Sequence, residues 1–326
     1  MSTVVITGAR GYIGSALTNR LAREGYSLRL VSRTPGAPRV HAGGAAKVDH
    51  IVADLRHEGA WLSLIDGADA VVHLSSRTDL RLAEADPNGD EDINVEPIRA
   101  LARAVERAPR PPIVAFASTV TIVGINPRNP VDEQTPDDPC SVYDRHKLAC
   151  ERILRAATTR GALRGCSLRL PNTYGYGTAS INANRGILNA MMKRAVSGEP
   201  LTLFGEGGYL RDFTHIDDAV DAFCRAIATP AACDGGHYVV ATGRGHNLAD
   251  AFALVAAEAL VQTGRRIEIR RVPEPADLHA IERRNFIGNA RLFSARTGWR
   301  PRYDLVGGIR DYFARALASS AAAVGQ

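Results

Sequence analysis

The sequence predicts an α/β fold: a doubly wound parallel sheet followed by a smaller C-terminal lobe that binds substrate. Three observations carry this. Short, continuously apolar runs alternate with stretches of helical periodicity through the first half of the chain, a glycine-rich turn follows the first run, and the pattern changes after Pro171. Strands apolar along their whole length are buried on both faces, as in parallel sheets covered by helices on each side.

The expected strands lie at residues 4–7, 28–32, 51–53, 70–74, 113–118 and 167–170. Between the first two, Ile13, Leu17 and Leu21 recur at helical spacing and Gly25 supplies a stop. Residues 1–170 therefore read as a dinucleotide-binding domain. Residues 171–326 read as mainly substrate-binding lobe, with crossovers back to the first domain allowed for. In that lobe the chain predicts a loop at 174–180, helices at 187–196, from about 217 and at 247–262, strands at 201–204 and 267–272, and a frayed Ala/Ser-rich end from 316.

Composition narrows the function. The 326 residues are 45% hydrophobic and 23% charged with a formal charge of +5, ordinary for a globular protein. Arginine is scattered rather than massed, which argues against nucleic acid and suits a small anionic substrate or simply a solvated surface. The opening residues lack a secretory leader and no apolar run would span a bilayer, so a cytoplasmic protein without membrane contact is expected. Five cysteines without a Cys-x-x-Cys pair fit a reducing compartment, and no metal site is expected.

Gly8-Ala9-Arg10-Gly11-Tyr12-Ile13-Gly14 joins the first strand to the first helix. Glycines there allow a tight turn, a close approach to a pyrophosphate and tight helix–strand packing, while the helix N-terminus offers N–H groups to phosphate. NAD usually finds an acidic residue for its ribose 2′-hydroxyl near the end of the second strand. Here Ser32 and Arg33 stand there, a pair suited to a 2′-phosphate, so NADP(H) is favoured over NAD(H). Alternatively Arg33 stacks on adenine or faces solvent. Asp54, followed by Leu55, could accept from the adenine amino group or cap a helix. Ser75 and Ser76 follow the fourth strand where small residues are needed beside the pyrophosphate, and Leu74, at the end of that strand after His73, joins Ser75 in the cofactor site.

Tyr143 and Lys147 are four residues apart and share a helical face. An ammonium near a phenol favours the phenolate and makes it a usable acid–base group, and Lys147 can also hold the nicotinamide ribose. The strand-end hydroxyls Ser118 and Thr119 could steady the reacting substrate oxygen.

Together these residues resemble the extended short-chain dehydrogenase/reductase family, also described as the NAD-dependent epimerase/dehydratase family, over nearly the whole chain. The run from Phe116 to Gly124 resembles its fifth-strand segment and puts Thr119 on the catalytic Ser/Thr position. Arg169-x-x-Asn172-x-Tyr174-Gly175 and Arg211-Asp212-Phe213 resemble its nucleotide-sugar signatures, and Gly298-Trp299-Arg300-Pro301 resembles its C-terminal motif. The resemblance implies a Rossmann fold, catalysis by Thr119, Tyr143 and Lys147, and a substrate diphosphate gripped by Asn172 and Arg211, with Arg283 or Arg284 as a second phosphate ligand. It also implies a homodimer through helices around residues 91–105 and 143–157. Asn94 matches the family's structural Asn, and Cys140 could line the pocket.

Two departures narrow the chemistry. Dehydratases carry Asp-Glu where Val120-Thr121 stand, and reductase–epimerases add a Cys and a His where Val120 and Gly177 stand. What remains is redox chemistry at one carbon, by a 4-ketoreductase or a 4-epimerase. The stretch from Tyr143 to Glu151 resembles NDP-4-keto-6-deoxyhexose C4-ketoreductases of antibiotic deoxysugar pathways most. The expectation is therefore NADPH-dependent reduction of the C4 ketone, with an NAD-dependent nucleotide-sugar 4-epimerase as alternative and a non-catalytic NADPH sensor as the remote one.

Overall fold

The computed structural model describes residues 2–36, 47–125, 128–177 and 186–324. Its elements run β1 (Thr3–Thr7), α1 (Tyr12–Arg23), β2 (Ser27–Ser32), β3 (Val48–Val52), α2 (Glu58–Ile65), β4 (Ala70–His73), α3 (Leu80–Ala85), α4 (Pro87–Asn94), α5 (Glu96–Arg107), β5 (Ile113–Thr119), α6 (Val142–Thr159) and β6 (Arg164–Leu170). There follow β7 (Asn172–Tyr174), α7 (Ile187–Val196), β8 (Leu201–Phe204), β9 (Leu210–His215), α8 (Ile216–Ala228), β10 (His237–Val239), β11 (Gly245–Asn247), α9 (Leu248–Thr263), β12 (Ile269–Val272), α10 (Arg291–Thr297) and α11 (Leu305–Val324).

Seven strands form one sheet in the order β10-β6-β5-β4-β1-β2-β3, every pair parallel. One face packs α1 and α8 through Leu17, Leu21 and Phe223, with Trp299 added from the C-terminal region. The other packs α2, α5 and α6 through Trp61, Leu101 and Leu154. On α5, Ile98, Leu101, Ala102 and Val105 face inward at helical spacing and are buried, which fixes the helix against the sheet. The order reverses between β1 and β4, and ligands of doubly wound sheets bind at such a reversal.

The smaller lobe holds the sheet β11-β9-β7 and the pair β12-β8, with α7, α9 and α11 around a separate core containing Met192, Phe252 and Phe313. Strand β10 returns from the C-terminal half to extend the main sheet beside β6. One feature differs from expectation. The Ala/Ser-rich end is helical through Val324, because Ile309, Tyr312 and Phe313 bury one side of α11 and alanine is the best helix former. Residues 178–185, within and after the expected loop at 174–180, lie outside the described residues.

Candidate active site

The glycine turn is dictated sterically. Gly8 has a φ of +68°, and a Cβ there would lie 2.8 Å from the backbone nitrogen of Ser75. A Cβ on Gly14 would lie 2.1 Å from the Gly8 carbonyl oxygen, so neither position admits a side chain. Helix α1 then starts from Gly11 with no side-chain cap, leaving the N–H groups of its first turn directed at the cleft. Such a cradle fits a dinucleotide pyrophosphate.

Thr7 ties this turn to the next strand. Its hydroxyl accepts from the backbone N–H groups of Leu74 (3.1 Å) and Ser75 (3.2 Å) and reaches His73 Nδ1 at 3.0 Å. Since both lone pairs are used, Thr7 donates its proton to His73, which is therefore neutral there. Burial, helped by the Lys147 charge, lowers the His73 pKa to about 3 from its ordinary 6.5. Between these values the unfolded chain binds a proton that the folded chain refuses. Stability from this group is complete above pH 6.5 and falls by about 1.4 kcal/mol per unit on acidification toward pH 3. His73→Asn should flatten that limb of a denaturation-versus-pH profile; an unchanged slope would contradict the neutral buried imidazole.

At the adenosine end, a recess of about 540 Å³ is lined by Gly8, Arg10, Gly11, Val31, Ser32, Arg33, Thr34 and Ser75. It carries two guanidiniums and no carboxylate among the described residues. Arg10 bonds the Thr34 hydroxyl at 3.0 Å, and the Ser32 hydroxyl donates to the Thr34 carbonyl at 2.8 Å. Asp54 and Leu55 are not among this lining. Asp54 grips Arg56 through both oxygens, and that guanidinium holds its carboxyl down to about 2. The Leu55 carbonyl accepts from Trp61 Nε1 at 2.8 Å.

The adjoining cleft, about 600 Å³, brings the two sequence motifs together: Gly8, Arg10, Gly11, Tyr12, Ile13, Gly14, Leu74 and Ser75 from one side, Ser118, Thr119, Tyr143 and Lys147 from the other. Ser141 caps helix α6, its hydroxyl accepting from Asp144 N–H at 3.0 Å, so Tyr143 sits in the first turn and Lys147 one turn later. Lys147 is 4% exposed. Its ammonium donates to the Ala117 carbonyl at 2.9 Å and lies 5.7 Å from the Tyr143 ring centre. Burial brings its pKa down to about 8, opposed by Cys150, Asp90 and Glu151. The Ser118 hydroxyl proton is committed to Glu151, itself clasped by Arg169 at 2.9 and 2.7 Å. Of the two strand-end hydroxyls, Thr119 is the one not tied to that ion pair. Tyr12 closes the cleft on the lobe side, its phenol donating to the Gly175 carbonyl at 2.7 Å.

The lobe contributes buried guanidiniums. Arg211, 2% exposed, donates to the carbonyl oxygens of Leu210, Glu282 and Arg284. Burial and the neighbouring Arg284 charge pull its pKa down to about 9. Arg284, 8% exposed, donates to Asn172 Oδ1 at 2.8 Å, and its buried Nε has no hydrogen-bond partner. Arg283 points elsewhere and pairs with Glu274 at 3.2 Å. So Arg284, not Arg283, joins Asn172 and Arg211. Arg284 also lies 3.6 Å from the half-exposed Glu282 carboxylate, while Arg211 is held by carbonyl oxygens; two desolvated guanidiniums against one partly solvated carboxylate suit an anionic ligand.

Several groups sit here that sequence reasoning passed over. Thr121, standing where dehydratases carry Glu, bonds both Thr119 and Asp144 through its hydroxyl. Asp90 accepts from Asn94 at 2.9 Å and contacts His146 at 2.8 Å, beneath Lys147. Signals existed in the two-residue step from Thr119 to Thr121 and in Asp144 adjoining Tyr143. Cys140 is exposed, and the five cysteines are free thiols. His215, Asp217 and Asp311 cluster in the lobe, but Arg315 already pairs with both carboxylates at 2.6 and 3.0 Å. Among the described residues no helix is long and apolar enough to cross a membrane.

Known proteins share this architecture along the whole chain. A UDP-glucose 4-epimerase of Mycolicibacterium smegmatis is 27% identical over 313 residues, covering 94% of this chain and 95% of the relative. A dTDP-L-rhamnose 4-epimerase of Burkholderia thailandensis is 24% identical over 352 residues, covering 94% and 93%. The crystal structure of a Thermotoga maritima UDP-glucose 4-epimerase with UDP-glucose superposes with a TM-score of 0.84 at 23% identity, over 98% of this chain and 99% of that one. A Bacillus cereus UDP-glucuronic acid 4-epimerase with UDP-glucuronic acid and NAD gives 0.80 at 19%, over 97% and 99%. The relatives are named as 4-epimerases, so a special likeness to 4-ketoreductases is not shown. Residues 4–241 match the model of one family, and the turn, sheet and Tyr143/Lys147 pair just described fall inside that span: the chain belongs to the NAD dependent epimerase/dehydratase family.

Proposed function

We propose that this protein is a nucleotide-sugar 4-epimerase, inverting C4 of a nucleoside-diphosphate hexose by way of the 4-ketone. The observation that carries the reading is the cleft in which Tyr143, Lys147 and Thr119 stand opposite the glycine cradle, with no added acid–base pair, among the described residues, at the positions that dehydration or inversion at C3 and C5 would use. A bound nicotinamide dinucleotide would take hydride from C4 and return it to the opposite face. Gly8 through Gly14, Leu74 and Ser75 would hold it, and Lys147 would hold its ribose. Tyr143 takes and returns the O4 proton, and Lys147, cationic below about pH 8, favours the phenolate form that accepts it. Asn172, Arg211 and Arg284 form the diphosphate grip. Arg284→Leu should raise KM for UDP-glucose about tenfold or more while dinucleotide affinity stays unchanged, because a charge-assisted contact is lost at the substrate alone. Equal KM values would remove Arg284 from the grip.

The recess at Arg10, Ser32 and Arg33 favours a second reading, an NADPH-dependent 4-ketoreductase acting on an NDP-4-keto-6-deoxyhexose in deoxysugar biosynthesis. Purified protein separates the two. An epimerase keeps its dinucleotide through purification and converts UDP-glucose without added cofactor; a reductase consumes NADPH stoichiometrically with the 4-keto sugar. Arg33→Ala should cut any preference for NADP(H) over NAD(H) about tenfold, since one charge-assisted hydrogen bond is lost. An unaltered preference would place Arg33 in solvent.

A further inference from the structure

Behind Thr119 runs a chain of hydroxyls that ends on a carboxylate. Thr119 closes β5, and its Oγ1 accepts from the Thr121 N–H at 3.2 Å and meets the Thr121 hydroxyl at 2.8 Å. The Thr121 hydroxyl in turn donates to Asp144 Oδ1, while Ser141 donates to Asp144 Oδ2 at 2.6 Å. Asp144 and Ser141 are fully buried. Cys140 and the buried Arg284 guanidinium are close enough to interact electrostatically with this end of α6, and the Asp144 charge favours the cationic form of Arg284.

Counting protons fixes the direction of the chain. An ionised carboxylate only accepts, so both hydroxyl protons point toward Asp144. Thr121 has one proton and has given it to Asp144. In the Thr119–Thr121 contact the donor must then be Thr119. One Thr119 lone pair already receives the Thr121 N–H. What Thr119 can offer the cleft is its second lone pair and no proton. While Tyr143 is the protonated phenol and donates to O4, a C4 hydroxyl can give its own proton to that lone pair. A C4 ketone has no proton to give, and meets two acceptors facing each other unless the chain is broken.

We propose that Thr121 and Asp144 are positioning residues that lock Thr119 as a hydrogen-bond acceptor, so that the cleft selects the C4-hydroxyl form of a nucleotide sugar over its 4-keto counterpart. This rests on the epimerase reading and deepens it, because an epimerase starts from and ends on the alcohol. It also gives a direction to the hydrogen bond by which the strand-end hydroxyl would steady the reacting oxygen.

Two measurements on the holoprotein test it. In threonine-labelled protein without substrate, NMR should show the Thr121 hydroxyl proton protected from exchange, and Thr121→Ser should retain a protected hydroxyl at that site. A Thr121 hydroxyl exchanging as fast as exposed threonines overturns the proposal. Second, dissociation constants are compared for UDP-glucose and UDP-4-keto-6-deoxyglucose. Thr121→Val frees the Thr119 proton, and should shift the ratio toward the ketone by about threefold to tenfold, the worth of one hydrogen bond. Thr121→Ser should keep the wild-type ratio. An unchanged ratio in Thr121→Val overturns the lock, and should neither sugar bind, the exchange measurement decides alone. Protein that holds the protected hydroxyl yet fails to invert C4 of UDP-glucose would sink the epimerase reading and leave the chain of hydroxyls standing.

Discussion

Tyr143→Phe should lose between about a hundredfold and ten-thousandfold in kcat, the usual range for removing a positioned acid–base group. The ring remains, so α6 keeps its packing, and the dinucleotide should bind as before because its cradle is built from β1 and α1. KM for the nucleotide sugar should move little, since Asn172, Arg211 and Arg284 are untouched. The pattern of lost kcat with retained binding identifies a group that acts on the reacting atoms. Steady-state kinetics with dinucleotide titration checks it. Full turnover in Tyr143→Phe would leave Lys147 with no phenol to serve.

Arg169→Ala should be the most destabilising single change near the site, by about 3–5 kcal/mol. Arg169 is 1% exposed and clasps Glu151, 3% exposed, through two hydrogen bonds, with Asp137 at 2.8 Å. The pair ties β6 to α6 behind Tyr143, and truncation leaves a buried carboxylate without its cation. The urea midpoint should fall with an unchanged m-value. The double change Arg169→Met with Glu151→Met should recover much of the loss, because two apolar side chains need no charge partner. If the single and double variants were equally unstable, packing rather than charge would account for the effect.

Local features of this chain were readable from sequence because their physics is local. The turn from Gly8 to Gly14 follows from steric limits within one strand–helix junction, and Tyr143 with Lys147 follows from the helical repeat. The sheet followed from continuous apolar runs such as those of β1 and β5. What could not be read depends on residues far apart in the chain. Strand β10 is three residues long, too short to show a pattern, and its place beside β6 is set by the return of the chain after α8. Choosing Arg284 over Arg283 required seeing which guanidinium turns toward Asn172, 112 positions away. Arg211 kept its expected neighbourhood, but three carbonyl oxygens already engage its guanidinium. Asp54, offered by the sequence to the adenine or as a helix cap, pairs with Arg56 two residues on, a contact the sequence reading did not name. The likeness to 4-ketoreductases drawn from the stretch between Tyr143 and Glu151 is not shown by the relatives, which are named as 4-epimerases. In the structure Asp144 and Glu151 are spent on Thr121, Ser118 and Arg169, which says how the site is braced rather than which direction the reaction takes.

The central claim is that C4 of a nucleotide sugar exchanges hydride, not a proton, within this cleft. UDP-glucose deuterated at C4, incubated with the purified protein in ordinary water, tests it by NMR of the sugar product. The account expects the C4 epimer with deuterium still on C4, because the same hydrogen leaves and returns without meeting solvent. Product carrying hydrogen from water at C4 would contradict it.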